Sequence, residues 1–186
     1  MAEEAWTYGC ALGRTKGLLI RKPEMVAAMV RKARRPIMVV GREVEDAELD
    51  DGRKATDYVA DVARSGDIPV VTSAYAYNAL VERGVRPAAM SLVEIIDRLQ
   101  DPGWKGLDGK GQYDLALFVG APYHMLSQAL SSLRHFAPRL TTISIDRYFH
   151  PNAKWSLPNA SPAEWREGLA SVARALRGHG HRPSDS

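Results

Sequence analysis

Five glycines, Gly103, Gly106, Gly109, Gly111 and Gly120, flank one apolar run in the stretch DPGWKGLDGKGQYDLALFVG, residues 101–120. Glycine beside a strand is the residue type that lets a backbone close on a phosphate. Such a loop works where it follows a strand and opens a helix, because backbone N–H groups and the positive helix end then face the anion. Here the first four glycines precede the run Leu115–Gly120, at its amino end. Open α/β sheets bind their ligands at the opposite, carboxyl end. With Lys105, Asp108 and Lys110 interspersed, the segment reads as a solvated connector or a surface for another protein, not a phosphate cradle.

The carboxyl ends of the apolar runs offer better chemistry. Gly41 ends one run and leads into Arg42-Glu-Val-Glu-Asp-Ala-Glu48, whose four acids would repel a phosphate. Thr72 and Ser73 end a second, and their hydroxyls suit either a ligand or a helix cap. Gly120-Ala121-Pro122 ends the third, at a helix start where N–H groups would donate to an anion. Asp146 ends the fourth, placed to reach a ribose hydroxyl. None of these matches GxGxxG or GxxxxGK[ST], so an ordinary dinucleotide fingerprint is missing although the crevice is expected.

Other chemistry is sparse. His124, His135 and His150 lack metal-ligand spacing and read as surface or interface residues; His179-Gly-His181 falls in a polar tail. HExxH, GxSxG and CxxC do not occur, so no recognisable catalytic set is present. Cys10 is the only cysteine, so this chain cannot by itself form a disulfide or supply the four thiolates of an ordinary iron–sulfur cluster. Arg14, Lys16, Arg21, Lys22, Arg31, Lys32, Arg34 and Arg35 stand against one acid, Glu24. That segment reads as a solvated helix face with an arm, or as a basic patch for an acidic partner or RNA; no aromatic platform accompanies it. Large aromatics sit instead in irregular segments: Trp104 beside Leu107 in the connector, and Tyr148, Phe149 and Trp155 after the fourth run. They read equally as loop anchors and as an interface core.

The elements that must position these residues alternate. Pro23 opens a helix with apolar residues at Met25, Ala28, Met29 and Ala33. Ile37–Gly41, Ile68–Ser73, Leu115–Gly120 and Leu140–Asp146 are short apolar runs, the mark of strands buried on both faces. Between them, helices are predicted over 46–65, with a break near Gly52, and over 75–83, 92–99 and 122–136. Ser161-Pro-Ala-Glu164 is a helix start with N-cap, first-turn proline and capping-box glutamate; that helix runs to about residue 176. Helices alternating with buried strands imply a doubly wound α/β fold with a mostly parallel sheet and helices on both faces. The expected organisation is an arm over 1–22, one α/β domain over 23–178 and a tail over 179–186.

With 186 residues the chain is long enough to bury roughly 70% of its unfolded surface. Its apolar fraction of 45%, charged fraction of 25% and net charge of +3 are those of a soluble globular protein and do not demand a nucleic acid or a membrane. No signal peptide or membrane span is read, and a cytoplasmic location is expected.

Two stretches carry a more specific signal: Arg35-Pro-Ile-Met-Val-Val-Gly41, and Asp101-Pro-Gly-Trp-Lys-Gly-Leu-Asp-Gly-Lys-Gly-Gln-Tyr-Asp114 leading into Phe118-Val-Gly120. Together they resemble the epsilon subunit of the archaeal carbon monoxide dehydrogenase/acetyl-CoA synthase (decarbonylase) complex, from about Pro23 to Ser161. The tryptophan, LDG, glycine and YD arrangement is the specific part. The resemblance implies a fold like the nucleotide-binding-type central domain of thiamin-dependent enzymes. It implies a non-catalytic partner of a large alpha subunit in a two-plus-two assembly, where alpha carries the nickel–iron–sulfur site for CO oxidation. It further implies a place in methanogen-type one-carbon metabolism and a role in stabilising alpha or passing electrons to FAD. If FAD binds, the resemblance places it at the strand carboxyl ends, near Gly41, Thr72, Ser73, Gly120 and Asp146. The expected partner surface is Trp104, Leu107, Tyr148, Phe149 and Trp155. Two other readings remain: a free flavin- or nicotinamide-binding enzyme, weakened by the missing catalytic set, and a basic nucleic-acid-binding module, weakened by the missing aromatic platform.

Overall fold

The computed structural model describes residues 17–178. Cys10, most of the expected arm, and the tail with His179 and His181 lie outside the described residues. In chain order the elements are β1 (Leu18–Leu19), α1 (Glu24–Lys32), β2 (Pro36–Val40), α2 (Glu43–Asp46), α3 (Ala55–Ser65), β3 (Val70–Thr72), α4 (Ala74–Glu82), β4 (Ala88–Ala89), α5 (Leu92–Gln100), β5 (Leu115–Val119), α6 (Tyr123–Phe136), β6 (Thr141–Ser144), β7 (Trp155–Ser156) and α7 (Pro162–Arg177). All seven strands are parallel, in the order β1-β7-β6-β5-β2-β3-β4.

The four apolar runs form the middle of this sheet because strands covered on both faces bury every side chain. Alternation divides them between two cores. Met38 and Val40 of β2 pack with Val26 of α1, Val59 of α3, Leu80 of α4 and Leu169 of α7. Ile37 and Val39 pack on the other face with Ile95 of α5 and Leu130 of α6. The chain winds from β2 through β3 to β4 along the first face, then crosses back through α5 to β5 on the other flank of β2. The topological switch therefore lies between β2 and β5, where the carboxyl ends of Gly41 and Gly120 meet.

Three elements escape the sequence reading. β1, β4 and β7 are two residues long, too short to show an apolar period. Leu18 and Leu19 pair with β7, and Ile20 is fully buried, so the sheet recruits chain ahead of Pro23. β6 and β7 are joined without a helix; the intervening loop packs on α6, where Arg134 Nη2 donates to the carbonyls of Pro151 (3.0 Å) and Ala153 (3.2 Å) and Asn152 donates to Ser127 O (3.1 Å). Of the helix predicted over 46–65 only the later part forms, as α3; residues 47–54 are not helical, and α2 lies just ahead of them. An antiparallel bridge between Glu48 and Lys54 and a turn at Gly52 interrupt the predicted helix, and Asp57 accepts from the Lys54 amide at the new start.

At α7 the expected capping box forms: Ser161 Oγ accepts from Glu164 N (3.3 Å), and the Glu164 carboxylate accepts from Ser161 N (2.8 Å). The connector folds on itself at the amino end of β5. Asp101 O accepts from Trp104 N and from Gln112 Nε2, and Lys105 O accepts from Gly111 N. Among the described residues no helix is long and apolar enough to cross a membrane.

Candidate functional site

At the switch point the backbone is already occupied by itself. Gly41 N donates to Val119 O (2.8 Å) and Glu43 N donates to Gly120 O (2.8 Å). A Cβ on Gly41 would stand 2.2 Å from Gly120 O and 2.4 Å from Ala121 N. Gly120 has φ +73°, and a Cβ there would meet Val44 Cγ1 at 2.3 Å. The glycines thus let two strand ends and α2 come together, the use glycine has wherever backbones approach closely. The amides of Gly41, Glu43 and Gly120 are thereby bonded within the fold.

Beside this contact, at the carboxyl ends of β5 and β6, lies a cavity of about 140 Å³ lined by Glu43, Gly120, Tyr123, Asp146, Arg147, Tyr148 and His150, among others. Asp146 Oδ1 accepts from Gly120 N at 2.7 Å, which fixes the carboxylate against the strand end. Its other oxygen, Oδ2, and His150 Nδ1 are buried without a hydrogen-bond partner among the described residues. Oδ2 lies 3.6 Å from His150 Nε2, too long for a hydrogen bond. The Tyr123 ring stacks on His150 with centroids 4.3 Å apart, while its hydroxyl donates to Phe149 O (3.1 Å). Burial pushes the Tyr123 hydroxyl pKa up. Burial, and then the Asp146 charge, push the Glu43 carboxyl up as well. The cavity is therefore small and walled by aromatic rings, and its two carboxylates, Glu43 and Asp146, outnumber its one arginine, Arg147, which favours a hydrogen-bond donor or a cation over an anion.

Of the five expected ligand residues, Gly120 and Asp146 line this cavity and Gly41 backs it. Thr72 and Ser73 do not join them. Thr72 is buried and donates to Val40 O (2.9 Å), bonding its own sheet; Ser73 stands at the start of α4 without a side-chain cap bond. A flavin dinucleotide does not fit this crevice as built. Pockets for molecules of drug size run from about 300 Å³ upward, and two carboxylates would face the pyrophosphate.

The expected partner residues fall at opposite ends of the sheet. Trp104 and Leu107 are half-buried at the amino end, where Trp104 packs on Tyr113 (centroids 5.7 Å apart) and Tyr113 Oη accepts from Leu107 N (3.2 Å). Arg35 stands over the same tyrosine and pairs with Asp108. A groove of about 350 Å³ opens there beside Arg98, Phe136 and Arg139. Tyr148 is exposed at the carboxyl end, and Trp155 is half-buried in β7. Phe149 is 4% exposed and has no surface to offer a partner, because the loop after β6 folds it inward. His150, expected at the surface, is likewise buried at 1% exposure, whereas His124 and His135 are exposed. Sequence reading missed Tyr123, His150 and Trp165 as neighbours of Asp146. Only the acid run after Gly41 hinted at the sign of the site.

Residues 10–173 match the family model described as CO dehydrogenase beta subunit/acetyl-CoA synthase epsilon subunit. The chain is 40% identical over 160 residues to acetyl-CoA decarbonylase/synthase complex subunit epsilon of Methanothermobacter thermautotrophicus, covering 86% of this chain and 88% of that one. It is 38% identical over 140 residues to subunit epsilon 1 of Archaeoglobus fulgidus, covering 74% and 72%. To the epsilon subunit of Methanothrix soehngenii it is 34% identical, covering 83% and 82%. The expected resemblance is thereby established over most of the chain, and the protein belongs to the CO dehydrogenase beta subunit/acetyl-CoA synthase epsilon subunit family.

Proposed function

We propose that this chain is an accessory subunit that pairs with the large alpha subunit of an acetyl-CoA decarbonylase/synthase complex, in a two-plus-two assembly, and stabilises it. The observation that carries this reading is the match, over more than four-fifths of both chains, to a relative named as subunit epsilon of that complex. The residue chemistry supports the same division of labour. One cysteine in 186 residues leaves cluster chemistry to a partner. The glycines and amides at the switch point serve the fold, which disfavours a free nucleotide-dependent enzyme.

A flavin serving the assembly would, on this geometry, be held outside the crevice of this chain. Adding FAD to the chain, to alpha and to the mixture separates the cases: no fluorescence quenching by the chain alone is expected, and quenching by it alone would return the flavin to the Gly41–Asp146 crevice.

The test of the main reading is reconstitution. Purified chain and alpha are expected to co-sediment at the mass of two copies of each, and the chain is expected to lengthen the half-life of CO oxidation by alpha on heating. CO oxidation by the isolated chain, or separate sedimentation of the two proteins, would defeat the reading.

A further inference from the structure

Three exposed tyrosines and a methionine gather where the cavity opens. Tyr75, Tyr123, Met125 and Tyr148 are each between 39% and 55% exposed, and all four follow strand carboxyl ends. Tyr123 and Tyr148 line the cavity itself. Tyr75 joins the same face through α2, since its hydroxyl donates to Asp46 Oδ1 at 2.8 Å. Tyrosine is a residue type that anchors protein interfaces, because it covers much area with few rotatable bonds and keeps a polar tip.

The charges inside that face are unbalanced. Glu43, Asp46 and Asp146 are the acids. Glu43 makes no ion pair among the described residues, and Asp146 has only His150 near it, at 3.6 Å. Of the two arginines on this face, Arg147 lines the cavity itself, and both are engaged within the chain. Arg147 Nε donates to Ala160 O and its guanidinium lies over the Tyr148 ring; Arg42 lies over Tyr75 and reaches Asp46 at 4.0 Å. Asp146 Oδ2, buried in a residue that is 8% exposed, accepts nothing. An unpaired buried carboxylate oxygen is costly unless a donor comes to it. Two carboxylates against the one lining arginine, Arg147, favour a cationic over an anionic guest. A cavity of about 140 Å³ is the size of a side-chain tip, not of a free cofactor.

We infer that this face is where the chain docks on its partner, and that the Glu43–Asp146 cavity is a socket for an arginine or lysine side chain which the partner inserts between Tyr123 and Tyr148. The cation pairs with the Glu43 carboxylate, which lines the cavity and makes no ion pair among the described residues, and the surrounding tyrosines shield it from water. This rests on the subunit reading above and adds the location and charge of the contact. The amino-end groove beside Phe136 and Arg139, which presents arginines and no carboxylate, is the face it leaves out.

Affinity for purified alpha, measured calorimetrically with wild type, Glu43→Gln, Tyr148→Ala, Phe136→Ala and Arg139→Ala, decides the matter; unchanged melting temperatures confirm that each variant folds. Glu43→Gln and Tyr148→Ala are expected to weaken binding at least tenfold, and the two amino-end variants less than twofold. If wild type binds and Glu43→Gln matches it within twofold, the basic-side-chain socket is wrong while the subunit reading stands. If only the amino-end variants weaken binding, the docking face is wrong. If wild type does not bind alpha at all, the subunit reading falls and the socket with it.

Discussion

Gly41 and Gly120 are in direct contact across the topological switch, so close that a methyl group on Gly41 would lie 2.2 Å from the Gly120 carbonyl oxygen. Both end central strands whose neighbours are hydrogen-bonded in register on either side. The backbone there has no direction in which to yield.

Gly41→Ala is therefore expected to destabilise the chain by more than about 3 kcal/mol, in the range where only core disruption and backbone strain act. Chemical denaturation of the purified variant measures it. A loss below about 1 kcal/mol would mean that the strand ends are looser than this contact requires.

Asp146 contributes to stability through one oxygen. Removing the acceptor with Asp146→Ala strands the buried Gly120 N–H and is expected to cost about 2 kcal/mol. Asp146→Asn keeps a carbonyl in that place and is expected to retain most of the stability. Equal losses in both variants would show that the charge, and not the hydrogen bond, is what the fold uses.

At the amino end, the Arg35 guanidinium and then the Lys110 amide hold the Asp108 carboxyl down at about 2, against an ordinary 3.8. A folded-state value below the unfolded one means the unfolded chain binds more protons in that interval. The contribution is thus complete above the ordinary value and is lost as pH falls through about 4 toward about 2. The stability difference between wild type and Asp108→Asn is expected to shrink over that window, and to shrink with added salt because the pair is exposed. A difference that does not vary with pH would show that the pair is not what Asp108 contributes.

Trp104, half-buried against Tyr113 and the second core, behaves on this structure as an anchor of the connector. Trp104→Ala is expected to lower stability by about 2 kcal/mol, less than for a fully buried tryptophan, and to leave affinity for alpha within twofold. Tenfold weaker binding at an unchanged denaturation midpoint would move the docking surface to the amino end.

Local physics was legible without coordinates. The four central strands, the start of α7 at Ser161 and the place of the glycine-rich connector at the amino end of β5 all follow from short-range rules: a run of apolar residues, an N-cap with its glutamate, the side of a strand on which glycines fall. The edge strands β1, β4 and β7 were not legible, because two residues carry no period and their pairing is set by neighbours far along the chain. Nor was the fate of Thr72, whose hydroxyl is taken by a carbonyl 32 residues away.

By itself the sequence determined a doubly wound α/β chain that is too poor in thiolates to hold clusters of its own, and it marked the family through the connector. Only the tertiary structure decided what stands at the strand carboxyl ends. Glu43, Gly120, Tyr123, Asp146 and His150 come from three separate connections, and nothing in their spacing says that they share one cavity. Folding brings them together because parallel strands put all their carboxyl ends on one edge. It is there that Gly41 spends its closeness on Gly120, and Asp146 is left with an oxygen that nothing in the described chain fills.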